Sequence, residues 1–472
     1  MTRATRAALL PLIEGWRRVS QPGFGRAPRA AVAVAAAILA TGASRDAAAD
    51  LPPDRIDFNM YGRAGIAWTL SGQVISGKSM NLGDRKQLGG RLEEGDYLEP
   101  GVKVHILKGE NEGATTVDVG MTFGMFARNG SFIAAAANNT PQTLGIELAQ
   151  AYLEAKNVFT RDLTFWIGAR QYRGADIHIA DHFYFNDLSG QGAGIKYKGL
   201  DTAVLLQTAA VNPFYNADSD GDDEVDVQRQ RTIVVTQYTH PFGAGSSSVQ
   251  GLAELHIVPE ASKGSREIED GNPRDFGWVA GAKLHLDLDN GAFNDMSVRF
   301  GARIANGAWG GSQTFQTFGD PAEDGTYEGA YGVEAVDHFL WNFGQTLSLN
   351  AYGIFGISRG ASDEDADRRL NFAVGARTTL YAHNQFHLIN ELTFQGRKDG
   401  ERDMGTAVKM SIVPTLVPTG ERSFWARPHL RLIYTAGFYN QDARDQMMSA
   451  YLQTVGPVKS AHFVGTRAEW WF

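Results

Sequence analysis

Residues Asp57–Trp68 read DFNMYGRAGIAW. Phe58, Met60, Gly62, Ala64, Ile66 and Trp68 take the even positions, and Asp57, Asn59, Tyr61, Arg63, Gly65 and Ala67 the odd ones. Side chains on a strand point to opposite faces with period two, so the stretch predicts a strand with one apolar and one polar face. The segment from Phe293 repeats the pattern, with Asn294, Met296, Val298, Phe300, Ala302 and Ile304 set against Phe293, Asp295, Ser297, Arg299 and Arg303. From Phe424, the even positions Phe424, Ala426, Pro428, Leu430 and Leu432 alternate with Trp425, Arg427, His429 and Arg431. Arginines in mid-strand suit a dry core poorly, because each unpaired cation there is costly. They suit a water-filled lumen whose outer wall faces lipid.

The rest of the chain agrees. Strand-like runs of 8–12 residues recur between polar stretches such as Ala217–Asp226 (ADSDGDDEVD) and Asn306–Asp324. That spacing predicts an all-β chain. Its last residues, Arg467–Phe472 (RAEWWF), carry a strand pattern to a terminal aromatic with no polar tail. Glu469 and Trp471 fall on the inward side, Trp470 and Phe472 on the outward side, as expected of a closing strand with aromatics at the membrane interface.

Composition narrows the function. The 472 residues contain no cysteine, 54 glycines and a net charge of −9. Disulfides, thiolate metal sites and thiol nucleophiles are excluded. The acidic balance argues against a nucleic-acid partner. A mean hydropathy of −0.26 excludes a helical membrane bundle but allows a barrel. Arg26 and Arg29, the apolar run Ala30–Thr41 and Ala47–Ala49 have the order of an export signal. Residues 1–49 are therefore expected to be a lead and cleaved signal, and 50–472 an outer-membrane barrel. The first 49 residues hold seven arginines and two acids, so cleavage takes the net charge from −9 to −14.

Four ordered segments resemble the maltoporin family of carbohydrate porins: Asp57–Gly65, Trp166–Gly194 (WIGARQYRGADIHIADHFYFNDLSGQGAG), Ser423–Arg431 (SFWARPHLR) and the terminal EWWF. The resemblance implies an antiparallel transmembrane β-barrel of 18 strands with a constriction loop folded inward after the sixth. It also implies a homotrimer in outer-membrane lipid, passing maltooligosaccharides or other sugars without a cofactor and without enzymatic chemistry. Carried over residue by residue, an aromatic track falls on Tyr61, Tyr97, Phe293, Trp425 and Trp471. Aromatic rings hold the apolar faces of sugars, while charged groups exchange hydrogen bonds with the hydroxyl rim. The resemblance places such groups at Arg63, Arg91, Glu99, Asp176 and Asp181. The family's constriction tyrosine matches Phe183 or Tyr184, with Tyr184 the chosen candidate. Phe132 is the nearest match for an aromatic that a neighbouring subunit lends. Two family arginines fall on Gly174 and Glu147, which implies a wider and more acidic constriction.

Other signals carry less. Asp218–Glu224 resembles part of a calcium loop but lacks the distal glutamate of the EF-hand. His178 and His182 would share a metal only on a helix, and a loop is expected there. Asp176 and Asp181 could suggest glycoside hydrolysis, against which the barrel pattern stands. The competing readings are a general or differently selective porin, and an exported carbohydrate-binding or carbohydrate-active β-protein.

Overall fold

The computed structural model describes residues 55–68, 77–83, 88–127, 130–132, 144–207, 216–217, 227–228, 230–243, 245–260, 273–308 and 315–472. The expected signal segment and the acidic stretch 218–226 lie outside them. The chain divides into a unit Met1–Asp57, described only at its end, and a unit Phe58–Phe472.

Eighteen strands make one sheet. They are β1 Ile56–Trp68, β2 Tyr97–Leu107, β3 Thr116–Ala127, β4 Leu144–Lys156, β5 Leu163–Arg170 and β6 Gly190–Tyr197. There follow β7 Leu200–Gln207, β8 Arg231–Pro241, β9 Ser248–Val258, β10 Asp275–Asp287, β11 Phe293–Arg303 and β12 Tyr331–Phe343. The last six are β13 Leu347–Arg359, β14 Arg368–His383, β15 Phe386–Asp399, β16 Gly405–Leu416, β17 His429–Tyr439 and β18 Ser460–Trp471. Each pairs with its sequence neighbours, and β1 pairs with both β2 and β18, so the sheet closes as an antiparallel barrel. Closure leaves no unpaired edge, which membrane insertion requires.

The alternation has the expected sense. Asp295, Ser297 and Arg299 on β11 are buried, while Met296, Val298 and Phe300 between them are exposed. The outer face carries Ile66, Ile146, Val374, Leu392 and Leu432, all exposed. Such a band is unfavourable against water and favourable against hydrocarbon. No helix among the described residues is long and apolar enough to cross a membrane, a fact that says nothing of crossing by strands. At the seam, Gly62 is the cross-strand partner of Trp470. The indole lies so close over this glycine that a Cβ would clash with it.

Burial is greatest inside the barrel, because connecting segments fold into it. Residues 171–189 do so between β5 and β6, with Ile177, Ile179, Tyr184 and Leu188 buried. The inward loop thus follows the fifth strand and not the sixth. Two further segments also turn inward. Met80, Leu82, Leu88 and Leu92 precede β2, and Asn306, Ala308 and Phe315 follow β11. Polar side chains of distant strands hold them: Tyr352 and Tyr439 donate to the carbonyls of Leu88 and Met80, and the Gln395 amide oxygen accepts from the Leu82 N–H. The Arg231 guanidinium donates to the carbonyls of Ile304 and Phe315.

The SFWARPHLR segment departs from the expected alternation. β17 begins only at His429. Before it, Phe424, Ala426 and Arg427 are all buried, and Trp425 is 41% exposed, so period two does not hold there. Trp425 sits in a turn, where no pleat fixes which way its side chain points.

Candidate functional site

The seam strands set the site. In the β1–β18 register, Tyr61 faces Trp471 and Arg63 faces Glu469. Direct antiparallel partners share a face and bring their side chains into contact. The Tyr61 and Trp471 rings stack with centroids 6.5 Å apart and an interplanar angle of 25°. On the other side of Tyr61, Tyr97 of β2 lies 6.1 Å away. His178 on the inward loop meets Trp471 edge-on at 5.5 Å and reaches Trp425 at 5.8 Å. Tyr97, Tyr61, Trp471, His178 and Trp425 thus form one run of rings. In the sequence His178 shows only an i, i+4 spacing with His182, which says nothing about function when it lies on a loop.

Phe293 stands in another group. Its ring packs edge-on against His338 at 5.1 Å and lies 6.4 Å from His285. Tyr184 belongs there too. It is fully buried, and its hydroxyl donates to Asp295 Oδ2 at 3.0 Å. The tyrosine therefore anchors the loop to β11. Phe183 beside it is half-buried, under the Arg173 guanidinium at 4.4 Å. Phe132 has its backbone N–H on Asp96 Oδ2 at 2.9 Å.

The charged residues interlock with the ring run. Arg63 lies 5.3 Å over the Tyr97 ring, donates to the Tyr61 hydroxyl at 3.4 Å and pairs with Glu94 at 2.8 Å. Tyr61 donates in turn to Glu469 Oε1 at 3.2 Å. Tyr97 donates to Glu99 Oε2 at 2.6 Å. Arg91 bridges the two inward segments, pairing with Glu94 at 2.8 Å and with Asp181 at 2.7 Å. Asp181 adopts a left-handed backbone at φ 52°, a conformation that aspartate tolerates better than bulky residues. Asp176 faces Phe183 in the two-residue ladder that folds the loop onto itself. The arrangement presents planar donors and carboxylates beside aromatic faces, the pairing that saccharide hydroxyls and ring faces call for.

Burial, and then the neighbouring Asp181 charge, push the Asp176 carboxyl up to about 6. Below that pH the group is neutral, and above it the loop gains a negative charge. Cation over anion permeability is therefore expected to rise about twofold between pH 5 and pH 7. Reversal potentials across a salt gradient measure it. Asp176→Asn should flatten the dependence, and an unchanged slope would contradict the assignment.

A closed barrel with an apolar outer band and an interior lined by ions and rings defines an outer-membrane porin. A family model described as LamB porin matches residues 56–472. The chain belongs to the LamB porin family, and its place is the outer membrane. Maltoporin of Vibrio cholerae is 26% identical over 467 residues, covering 93% of this chain and 98% of that one. Maltoporin of Hahella chejuensis is 25% identical over 290 residues, covering 61% and 65%. Among solved structures, OmpF of Salmonella typhi covers 88% of this chain and 97% of its own, with 11% identity and a TM-score of 0.40.

Proposed function

We propose that this porin is a passive sugar channel that hands oligosaccharides, maltooligosaccharides foremost, along its ring run. The observation that carries the reading is the continuity of Tyr97, Tyr61, Trp471, His178 and Trp425, flanked by Arg63, Arg91, Glu99 and Asp181. A sugar moving along it exchanges one weak stacking contact for the next, so no single site traps it. Phe293 extends the track from its own group, Asp176 adds charge to the loop, and Tyr184 holds that loop in place. The family membership and the maltoporin relatives support sugar as the cargo, and porins of this kind carry no reaction chemistry. We further propose that the mature chain starts after Ala49 and works as a homotrimer.

The test is ion conductance across a planar bilayer. Adding maltotriose is expected to block the current in a saturating, reversible way. Current that falls only in proportion to solution viscosity would refute sugar binding and favour a general porin.

A further inference from the structure

Arg63, Arg91, Arg377, Arg427, Arg431 and Arg467 gather beside the ring run. Arg63 and Arg91 share Glu94, and Arg91 also takes Asp181. Arg377 pairs with Glu391, while Arg427 and Arg431 divide Glu469. Arg467 donates to the backbone carbonyls of Leu92 and Glu94. Six guanidinium groups thus stand against four carboxylates among the described ion pairs. The Nε atoms of Arg431 and Arg467 are buried without a hydrogen-bond partner. Between Arg63, Arg91, Arg377, Arg431, Arg467 and Glu469 lies a narrow recess with room for a group about the size of one water. A cationic surplus in such a place is unfavourable unless a negative group answers it.

We propose that this recess is an anion subsite, and that it receives the carboxylate of an acidic saccharide, a uronate, whose ring rests on Tyr61 and Trp471. The inference rests on the sugar-track reading and deepens it. The recess adjoins the rings: Arg63 covers Tyr97 and bonds to the Tyr61 hydroxyl, and His178, which also lines it, touches Trp471. Guanidinium forks match a carboxylate better than they match a hydroxyl. The recess is too small for a sugar ring, so the ring stays on the track while one oxygen enters.

Half-blocking concentrations in planar bilayers test this, with trigalacturonate and maltotriose as probes. Trigalacturonate is expected to block at a concentration about tenfold lower than maltotriose, the weight of one charge-assisted hydrogen bond. Arg431→Gln removes one cation yet leaves Glu469 paired with Arg427, so no carboxylate is orphaned. It should abolish most of that advantage and move maltotriose block by less than about twofold. Arg431→Lys keeps the charge without the fork and should retain part of the preference, which guards against a folding defect. Equal block by the two probes, or an advantage and a reversal potential that both survive Arg431→Gln, overturns the subsite while the track stands. An altered reversal potential in Arg431→Gln with unaltered uronate block means a small inorganic anion only, and overturns the saccharide. If neither sugar blocks, the underlying track reading fails instead.

Discussion

Tyr61→Ala is expected to weaken maltotriose block about tenfold, equivalent to ~1.4 kcal/mol of lost stacking, with small-ion conductance nearly unchanged. Tyr61 stands between Tyr97 at 6.1 Å and Trp471 at 6.5 Å, so its loss opens a gap that a short oligosaccharide cannot bridge by resting on both neighbours. The hydroxyl complicates the substitution, because it also links Arg63 to Glu469. Tyr61→Phe separates the two contributions. If stacking dominates, phenylalanine should hold block within about threefold of the parent, since it keeps the ring face and the hydroxyl's bonds run to Arg63 and Glu469 rather than to the sugar. If Tyr61→Phe is as damaging as Tyr61→Ala, the residue acts by orienting Arg63 and Glu469, and the ring is incidental. Trp425→Ala is the parallel test at the other end of the run. Block that survives both alanine substitutions would remove the stacking mechanism.

The parts of this site legible in the sequence are those fixed by the pleat. Tyr61, Arg63, Glu469 and Trp471 lie on regular strands, where position parity dictates the face, and their inward placement followed from counting by two. Phe293 obeyed the same rule, but parity could not say which rings it would meet around the circumference, and it lies with His285 and His338. Residues outside strands escaped the rule. Parity from Phe424 onward treats Trp425 as part of a strand, but that strand begins only at His429. The inward placement of Met80, Leu82, Leu88 and Leu92 leaves no periodic signal, because it depends on tyrosine, glutamine and lysine side chains hundreds of positions away: Lys409, for instance, pairs with the adjoining Glu93 at 2.7 Å. The choice between Phe183 and Tyr184 was likewise undecidable from order alone, since it turns on the tyrosine hydroxyl finding Asp295 on β11. The arginine surplus escaped for the same reason, being assembled from five separate stretches of chain.

Glu469→Ala is expected to be the most damaging single change, costing about 3–5 kcal/mol, the range for orphaning a buried ionic partner. Glu469 is 6% exposed and accepts from Arg427 Nε at 2.7 Å, from Arg431 and from the Tyr61 hydroxyl. Removing the carboxylate leaves two buried guanidinium groups facing each other in a region that already holds surplus cations. It acts at the β1–β18 seam, the one pairing that joins the two ends of the strand sequence, so repulsion there works directly against closure. Two consequences should appear together. The temperature at which the folded band converts to the unfolded one on detergent gels should drop, a readout of kinetic stability. Maltotriose block should also weaken, because Arg427, whose guanidinium lies 3.9 Å over the Trp471 ring, loses its anchor and the track ring loses its packing. Glu469→Gln restores an acceptor without the charge and should fall between the parent and alanine on both measures. An alanine variant with parental gel behaviour would mean that the two arginines find another counter-charge at once, and that the seam does not depend on this carboxylate.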